Sequence, residues 1–242
     1  TAIFNGKAED KSVVDTVLFD LDNTLLDFNK AEKIAVERTL REMGVTPDER
    51  MLKRYSELNL AQWHLLEQGK ITRSQVKVQR YVNLFREYHI EGDPAEAAKV
   101  YEAYLAIGHY YVEGAEELLK HLSEKYRLYM VTNGTLSVQK GRIKSAGMRP
   151  YFKDIFISEE IGYDKPGKAY FDFQEYRTFI ERTPLSLVTA LPQTYWAAKT
   201  PVSVPSGIIR MAVRIHRQFS RITRLRSFQR LKDYWKKFSF AL

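Results

Sequence analysis

A chain of 242 residues, 44% of them hydrophobic, is long enough to bury a sizeable core, which excludes a disordered or fibrous protein. The absence of cysteine excludes a disulfide framework and a thiolate metal site. The formal charge of +8 is unevenly spread: residues 174–242 hold 13 Lys+Arg against 3 Asp+Glu, a net of +10, whereas residues 1–173 hold 25 against 27, a net of −2.

No stretch near the start has the apolar core of a signal peptide, and no run is long enough to span a bilayer, so a cytoplasmic protein is expected. Residues 1–12 carry no assignment. Val13 to Phe19 is an apolar run interrupted by Asp15 and Thr16, and it reads as a buried parallel strand. Asp20 and Asp22 follow at its carboxyl end, where an open α/β sheet keeps its chemistry. On an extended strand, residues i and i+2 face the same side, which would put both carboxylates together. Asp20 then suits a nucleophile and Asp22 its proton donor. A bare Asp-x-Asp is commonly a solvated turn, but here it follows an apolar run and precedes Thr24-Leu25-Leu26.

From Asn29 to Ile107 the period becomes helical. Ala31, Ile34, Ala35, Arg38 and Thr39 begin one segment, Leu52, Tyr55, Leu58 and Trp63 belong to a second, and Val78, Tyr81, Val82 and Phe85 to a third. Breaks are expected at Gly44 to Pro47, at Gly69, and at Gly92 to Pro94. The aromatic stripes are most simply the core of a helix bundle, although Trp63 could also stack on a substrate base. Ala115 to Leu122 then reads as a helix feeding a strand at Leu128 to Thr132. Val138 to Ala146 reads as a helix ending at Gly147, and Ile155 to Ser158 as a short strand. Strand and helix alternate as a doubly wound parallel sheet requires.

Three segments in order carry a family resemblance. Asp20-Leu21-Asp22-Asn23-Thr24 resembles motif I of the haloacid dehalogenase superfamily. Val131-Thr132-Asn133-Gly134 resembles its motif II, and Gly162-Tyr163-Asp164-Lys165-Pro166 with Tyr170-Phe171-Asp172 its lysine segment. The nearest subgroup is the noncanonical pyrimidine nucleotidases, a group of 5′-nucleotidases. The resemblance implies an α/β fold, a HAD-like Rossmannoid core of residues 13–28 and 108–173, with a helical cap of residues 29–107 inserted after the first strand. It implies a phosphomonoester hydrolase acting through an aspartyl-phosphate, with a nucleotide or another small phosphate ester as substrate. Asp20, Asp22 and Lys165 would be catalytic, Thr132 and Asn133 would hold phosphate, and Mg2+ would sit on the Asp20 carboxylate and the Asp22 carbonyl. A 2-haloacid dehalogenase is the nearest enzymatic alternative, although it needs neither an acid at Asp22 nor magnesium. The core itself is expected to bind no nucleic acid and no membrane, and the sequence does not specify an oligomer.

The acidic segment that completes the family's metal site is missing. After Lys165 the acidic residues are Asp172, Glu175, Glu181 and Asp233, none in a Gly-Asp context. A magnesium ion would keep one side-chain carboxylate and be held weakly. Residues 174–242 resemble nothing in the family, and Pro184, Pro192, Pro201 and Pro205 fall where a buried strand is required. One reading is a basic amphipathic appendage, with Ile208, Met211, Ile215 and Phe219 at helical spacing, that binds nucleic acid or an anionic membrane and leaves the protein noncatalytic. The favoured reading is a frame change near Phe171 to Gln174. Back-translating Leu187 to Trp196 into permitted codons and starting each codon one base earlier yields Gly-Asp-Ser-Leu-Thr-Ser-Asp-Ile-Leu, the absent acidic segment. The same shift over Gln174 to Leu187 permits an apolar strand.

Overall fold

The computed structural model describes residues 16–165, 168–171 and 187–189. Four strands form one parallel sheet in the order β3-β2-β1-β4: β1 is Thr16–Phe19, β2 Arg127–Thr132, β3 Phe152–Ile157 and β4 Leu187–Thr189. The central strand β1 runs alongside β2 from Thr16↔Arg127 to Phe19↔Met130 and alongside β4 from Val17↔Leu187 to Phe19↔Thr189. Val17, Leu18 and Phe19 are all buried, as expected for a parallel strand covered on both faces. Helices α5 (Ala115–Ser123) and α6 (Leu136–Ser145) precede and follow β2, and Leu119, Leu122 and Ile143 pack with Phe19, Met130 and Phe152. The parallel register aligns the carboxyl ends of β1, β2 and β3, so Asp20, Thr132 and Ser158 emerge along one edge of the sheet.

Between β1 and α5 the chain forms four helices: α1 (Phe28–Glu42), α2 (Glu49–Glu67), α3 (Arg73–Tyr88) and α4 (Pro94–Ala106). Each starts at a capping side chain. Asp27 accepts from Lys30 N–H at 2.9 Å, Asp48 from Met51 at 2.8 Å and Asp93 from Ala95 at 2.8 Å, while Thr72 and Gln75 form a reciprocal capping box. The helices share an apolar core around Tyr55, Tyr81 and Tyr101, whose ring centroids lie 5.1–6.0 Å apart. The two segments that join this helical unit to the sheet are tied to each other: Asp27 N–H donates to Tyr110 O at 2.7 Å and Val112 N–H to Leu25 O at 2.9 Å. No helix among the described residues is long and apolar enough to cross a membrane.

The structure departs from the sequence expectation at three places. The last apolar strand of the core begins earlier, at Phe152, and Ser158 opens the short helix α7 (Ser158–Ile161) instead of ending the strand. Beyond α8 (Lys168–Phe171), the tail was expected to supply no strand, yet Leu187–Thr189 forms β4. Without β4 the side of β1 facing away from β2 would leave its backbone groups unpaired, and a segment containing Val188 and Thr189 has the β-branched character that fits such a ladder. The third departure is that β1 stops at Phe19, so Asp20 and Asp22 do not share an extended strand. The amphipathic helix and the acidic residues Asp172, Glu175, Glu181 and Asp233 lie outside the described residues, and the frame change is a question for the gene sequence.

Candidate active site

Asp20 is the first residue after β1 and is 4% exposed. Its Oδ1 accepts from Leu21 N–H at 2.9 Å and from Lys165 Nζ at 3.1 Å. Lys165 is itself fully buried, and its ammonium also donates to Val131 O on β2 at 2.9 Å. What holds the lysine there is Asn133. The Asn133 amide donates to Lys165 O at 2.8 Å and its carbonyl accepts from Lys165 N–H at 2.9 Å. The side chain expected on a phosphoryl oxygen therefore pins the lysine backbone to the end of β2. Burial pushes the Asp20 carboxyl above its ordinary range; the Lys165 charge opposes that rise and the Asp22 charge adds to it.

After Asp20 the chain turns sharply. Leu25 and Leu26 N–H both donate to Leu21 O, at 2.9 and 3.1 Å, and Asn23 takes a positive φ of 55°. Asparagine tolerates that left-handed backbone better than most residues. Within this turn the half-buried Asp22 meets α6, where Gln139 Nε2 donates to its Oδ2 at 2.9 Å and Arg142 Nη1 pairs with its Oδ1. Gln139 Nε2 also lies 2.9 Å from Thr132 Oγ1 and 3.1 Å from Asn133 O, so a single amide joins the ends of β1 and β2. Thr132 is fully buried.

The helical unit supplies the opposite wall. Arg73, the first residue of α3, donates to Asp164 at 2.5 Å, to Ser158 Oγ at 3.1 Å and to Gly134 O at 3.4 Å. Ser158 Oγ in turn accepts from Gly134 N–H at 3.1 Å. The half-buried Trp63 ring lies behind this arginine, 5.9 Å from its guanidinium. Asp20, Asp22, Thr132, Asn133 and Lys165 are thus brought together, with Trp63 one side chain further out. Sequence reasoning missed Arg73, Gln139, Arg142 and Ser158. The available signal was in α6, where Gln139 and Arg142 stand one turn apart beside the apolar Val138 and Ile143.

A magnesium ion requires a near-octahedral set of oxygens. Among the described residues no group of three or more His, Cys, Asp or Glu side chains is placed to hold a metal. Both Asp22 carboxylate oxygens already meet α6 donors, which leaves the Asp20 carboxylate and the Asp22 carbonyl. That donor set does not by itself fit magnesium.

Residues 14–183 match the family model described as haloacid dehalogenase-like hydrolase. The chain belongs to that family. The match runs ten residues beyond the 173 reached by the motif resemblance. HAD-hydrolase YfnB of Bacillus subtilis is 38% identical over 158 residues, 65% of this chain and 67% of its own. Pyrimidine 5′-nucleotidase PynA of Streptococcus pneumoniae is 38% identical over 157 residues, 64% of this chain and 66% of its own, so the chain spans about two thirds of these relatives. Pyrimidine 5′-nucleotidase YjjG of Escherichia coli is 28% identical over 159 residues, 66% of this chain and 69% of its own. The crystal structure of YfnB, bound to magnesium and described as revealing interdomain movement, superposes with a TM-score of 0.64 at 37% identity, covering 71% of this chain and 73% of that one. The defluorinating L-2-haloacid dehalogenase Rha0230 has the same fold, with a TM-score of 0.62 at 17% identity over 76% of this chain and 77% of its own.

Proposed function

We propose that this HAD-family hydrolase cleaves phosphomonoesters through Asp20, with nucleoside 5′-monophosphates as its substrate class. The observation that carries the reading is the buried pair at the end of β1, in which Lys165 Nζ stands 3.1 Å from Asp20. A carboxylate attacking an anionic phosphoryl group needs a nearby cation to offset the accumulating charge, and a dry site makes that cation effective. The Asp20 oxygen attacks phosphorus, the ester P–O bond breaks, and the leaving alkoxide takes a proton from Asp22. Asp22 then takes a proton from water, whose oxygen attacks phosphorus and releases phosphate from Asp20. Thr132, buried at the end of β2, offers a hydroxyl to the phosphoryl oxygens. The relatives named pyrimidine 5′-nucleotidases support the nucleotide choice.

In this reading α1–α4 act as a cap whose Arg73 and Trp63 face the leaving group. No step passes through magnesium, because the described oxygens do not hold it. The cation requirement implied by the resemblance belongs to the acidic segment that the −1 reading restores after Phe171, and the gene sequence tests that frame change directly.

The assay is phosphate release by the full chain, with magnesium supplied, from a panel of nucleoside 5′-monophosphates and other monoesters, repeated with Asp20→Asn and with the frame-restored protein. The expected result is release from nucleotides that Asp20→Asn abolishes. Halide release from 2-haloacids without phosphatase activity supports the dehalogenase alternative instead. Steeply salt-dependent polyanion binding, without turnover even in the frame-restored protein, supports the noncatalytic one.

A further inference from the structure

Arg142 has more connections than a site flank requires. It is 0% exposed on α6, between the sheet and the helical unit. Nη1 pairs with Asp22 Oδ1 and lies 3.2 Å from Gln139 Oε1. Nε donates to Gly108 O at 3.1 Å, and the guanidinium carbon lies 5.6 Å from the centre of the Phe28 ring. Phe28 opens α1 where the chain enters the helical unit, and Gly108 lies just past α4 where it returns. One guanidinium therefore touches both crossings and the Asp22 carboxylate.

Neighbouring residues of α6 grip the return crossing as well. Ser145 Oγ donates to Ile107 O at 3.2 Å and lies 2.6 Å from His109 Nδ1, and Tyr111 OH donates to Ala146 O at 2.9 Å. Gly141 lets α6 approach so closely: a Cβ there would stand 2.8 Å from Ala106 Cβ and 2.9 Å from Ala106 O. Arg142 Nη2 is buried and meets no acceptor among the described residues. Buried donors without an acceptor are uncommon in folded proteins.

We propose that Arg142 is the positioning residue of Asp22 and couples that carboxylate to the hinge of the helical unit. A swing of α1–α4 displaces Phe28 and Gly108, and Arg142, bound to both, transmits the displacement to Asp22. The spare Nη2 donor gives the carboxylate a second seat on the same guanidinium. Proton delivery by Asp22 is thereby tied to the position of the cap, so this inference rests on the hydrolase reading for its chemical half only.

The test has two arms, both on the full chain. The chain has no cysteine, so Lys53→Cys on α2 and Glu117→Cys on α5, both exposed, give a clean pair of spin labels across the hinge. Arg142→Met is expected to broaden the interlabel distance distribution. Asp22→Asn, which changes a half-buried rim residue and leaves the arginine in place, is expected to broaden it in the same direction. In the kinetic arm, Arg142→Met is expected to lower kcat on an alkyl phosphate by about a hundredfold, the scale of lost general-acid catalysis, with KM little changed. On p-nitrophenyl phosphate, whose leaving group departs without a proton, the loss stays below about threefold. Arg142→Lys, which keeps the charge, restores part of the alkyl phosphate rate. An unchanged distance distribution in both variants overturns the coupling, and equal losses on the two esters overturn the positioning role. A chain that turns over neither ester contradicts the hydrolase reading, and the distance arm then decides the hinge clamp alone.

Discussion

Lys165→Met removes one member of the buried Asp20–Lys165 pair and leaves the other with nowhere to go. Both groups are almost fully buried, with nitrogen and oxygen 3.1 Å apart. At an effective dielectric of about 20 their attraction is about 5 kcal/mol. Breaking one side of such a pair typically costs about 3–5 kcal/mol, because the surviving charge is stranded. Asp20 can escape part of that cost by taking up a proton. Its carboxyl already lies above its ordinary range through burial, and loss of Lys165 removes the largest opposing influence. A carboxyl raised in the folded state confers stability below its unfolded value that is lost as pH rises through the folded one. Urea unfolding of Lys165→Met should therefore show a deficit of about 3 kcal/mol at neutral pH that shrinks toward pH 5. The double variant Asp20→Asn with Lys165→Met buries no charge at this position and should recover to within about 1.5 kcal/mol of the parent. Additive losses in the double variant, or a single-variant deficit that ignores pH, would refute the reasoning.

Two further predictions address the helical unit and its packing on α6. Glu32 is 4% exposed and burial raises its carboxyl above 4.5 despite hydrogen bonds from Ser56 and Asn59 at 2.6 and 2.7 Å. Its contribution is fully present below 4.5 and is lost as pH rises, so the parent should lose stability relative to Glu32→Gln between pH 4.5 and neutrality, as read from thermal unfolding across that range. A stability difference that is flat over the range contradicts this. Gly141→Ala should destabilise by about 1–2 kcal/mol, because the overlap with Ala106 outweighs the roughly 1 kcal/mol gained in helix propensity. The urea midpoint at constant m-value measures it, and a stabilised variant contradicts the close packing of α4 on α6.

Periodicity and motif order carried much of the fold. The helical spacing of Tyr81 and Phe85 marked α3, Gly147 marked the end of α6, and the apolar run before Asp20 marked the central strand. Asp20 and Lys165 were legible because their residue types follow buried segments in the family's order. Their mutual geometry was not legible, since it depends on Asn133 pinning the Lys165 backbone across 32 residues of sequence. The i and i+2 rule did not describe the route to Asp22, because the strand ends at Phe19 and the Leu21–Leu26 turn follows, yet the Asp22 carboxylate still stands near enough for its charge to act on Asp20. Arg142 escaped notice because an arginine in a helix reads as a solvated face, and only tertiary packing shows that it is buried. β4 was missed because three residues carry too little pattern to outweigh the prolines around them.

The identity of the nucleophile is the claim on which the chemistry stands. The direct measurement is to quench the full chain during turnover of a phosphomonoester, reduce any acyl phosphate with borohydride, and map the modified residue by mass spectrometry. A homoserine at position 20, absent when substrate is withheld, is the predicted result. Phosphate release with no modification at Asp20, together with undiminished turnover by Asp20→Asn, would contradict it.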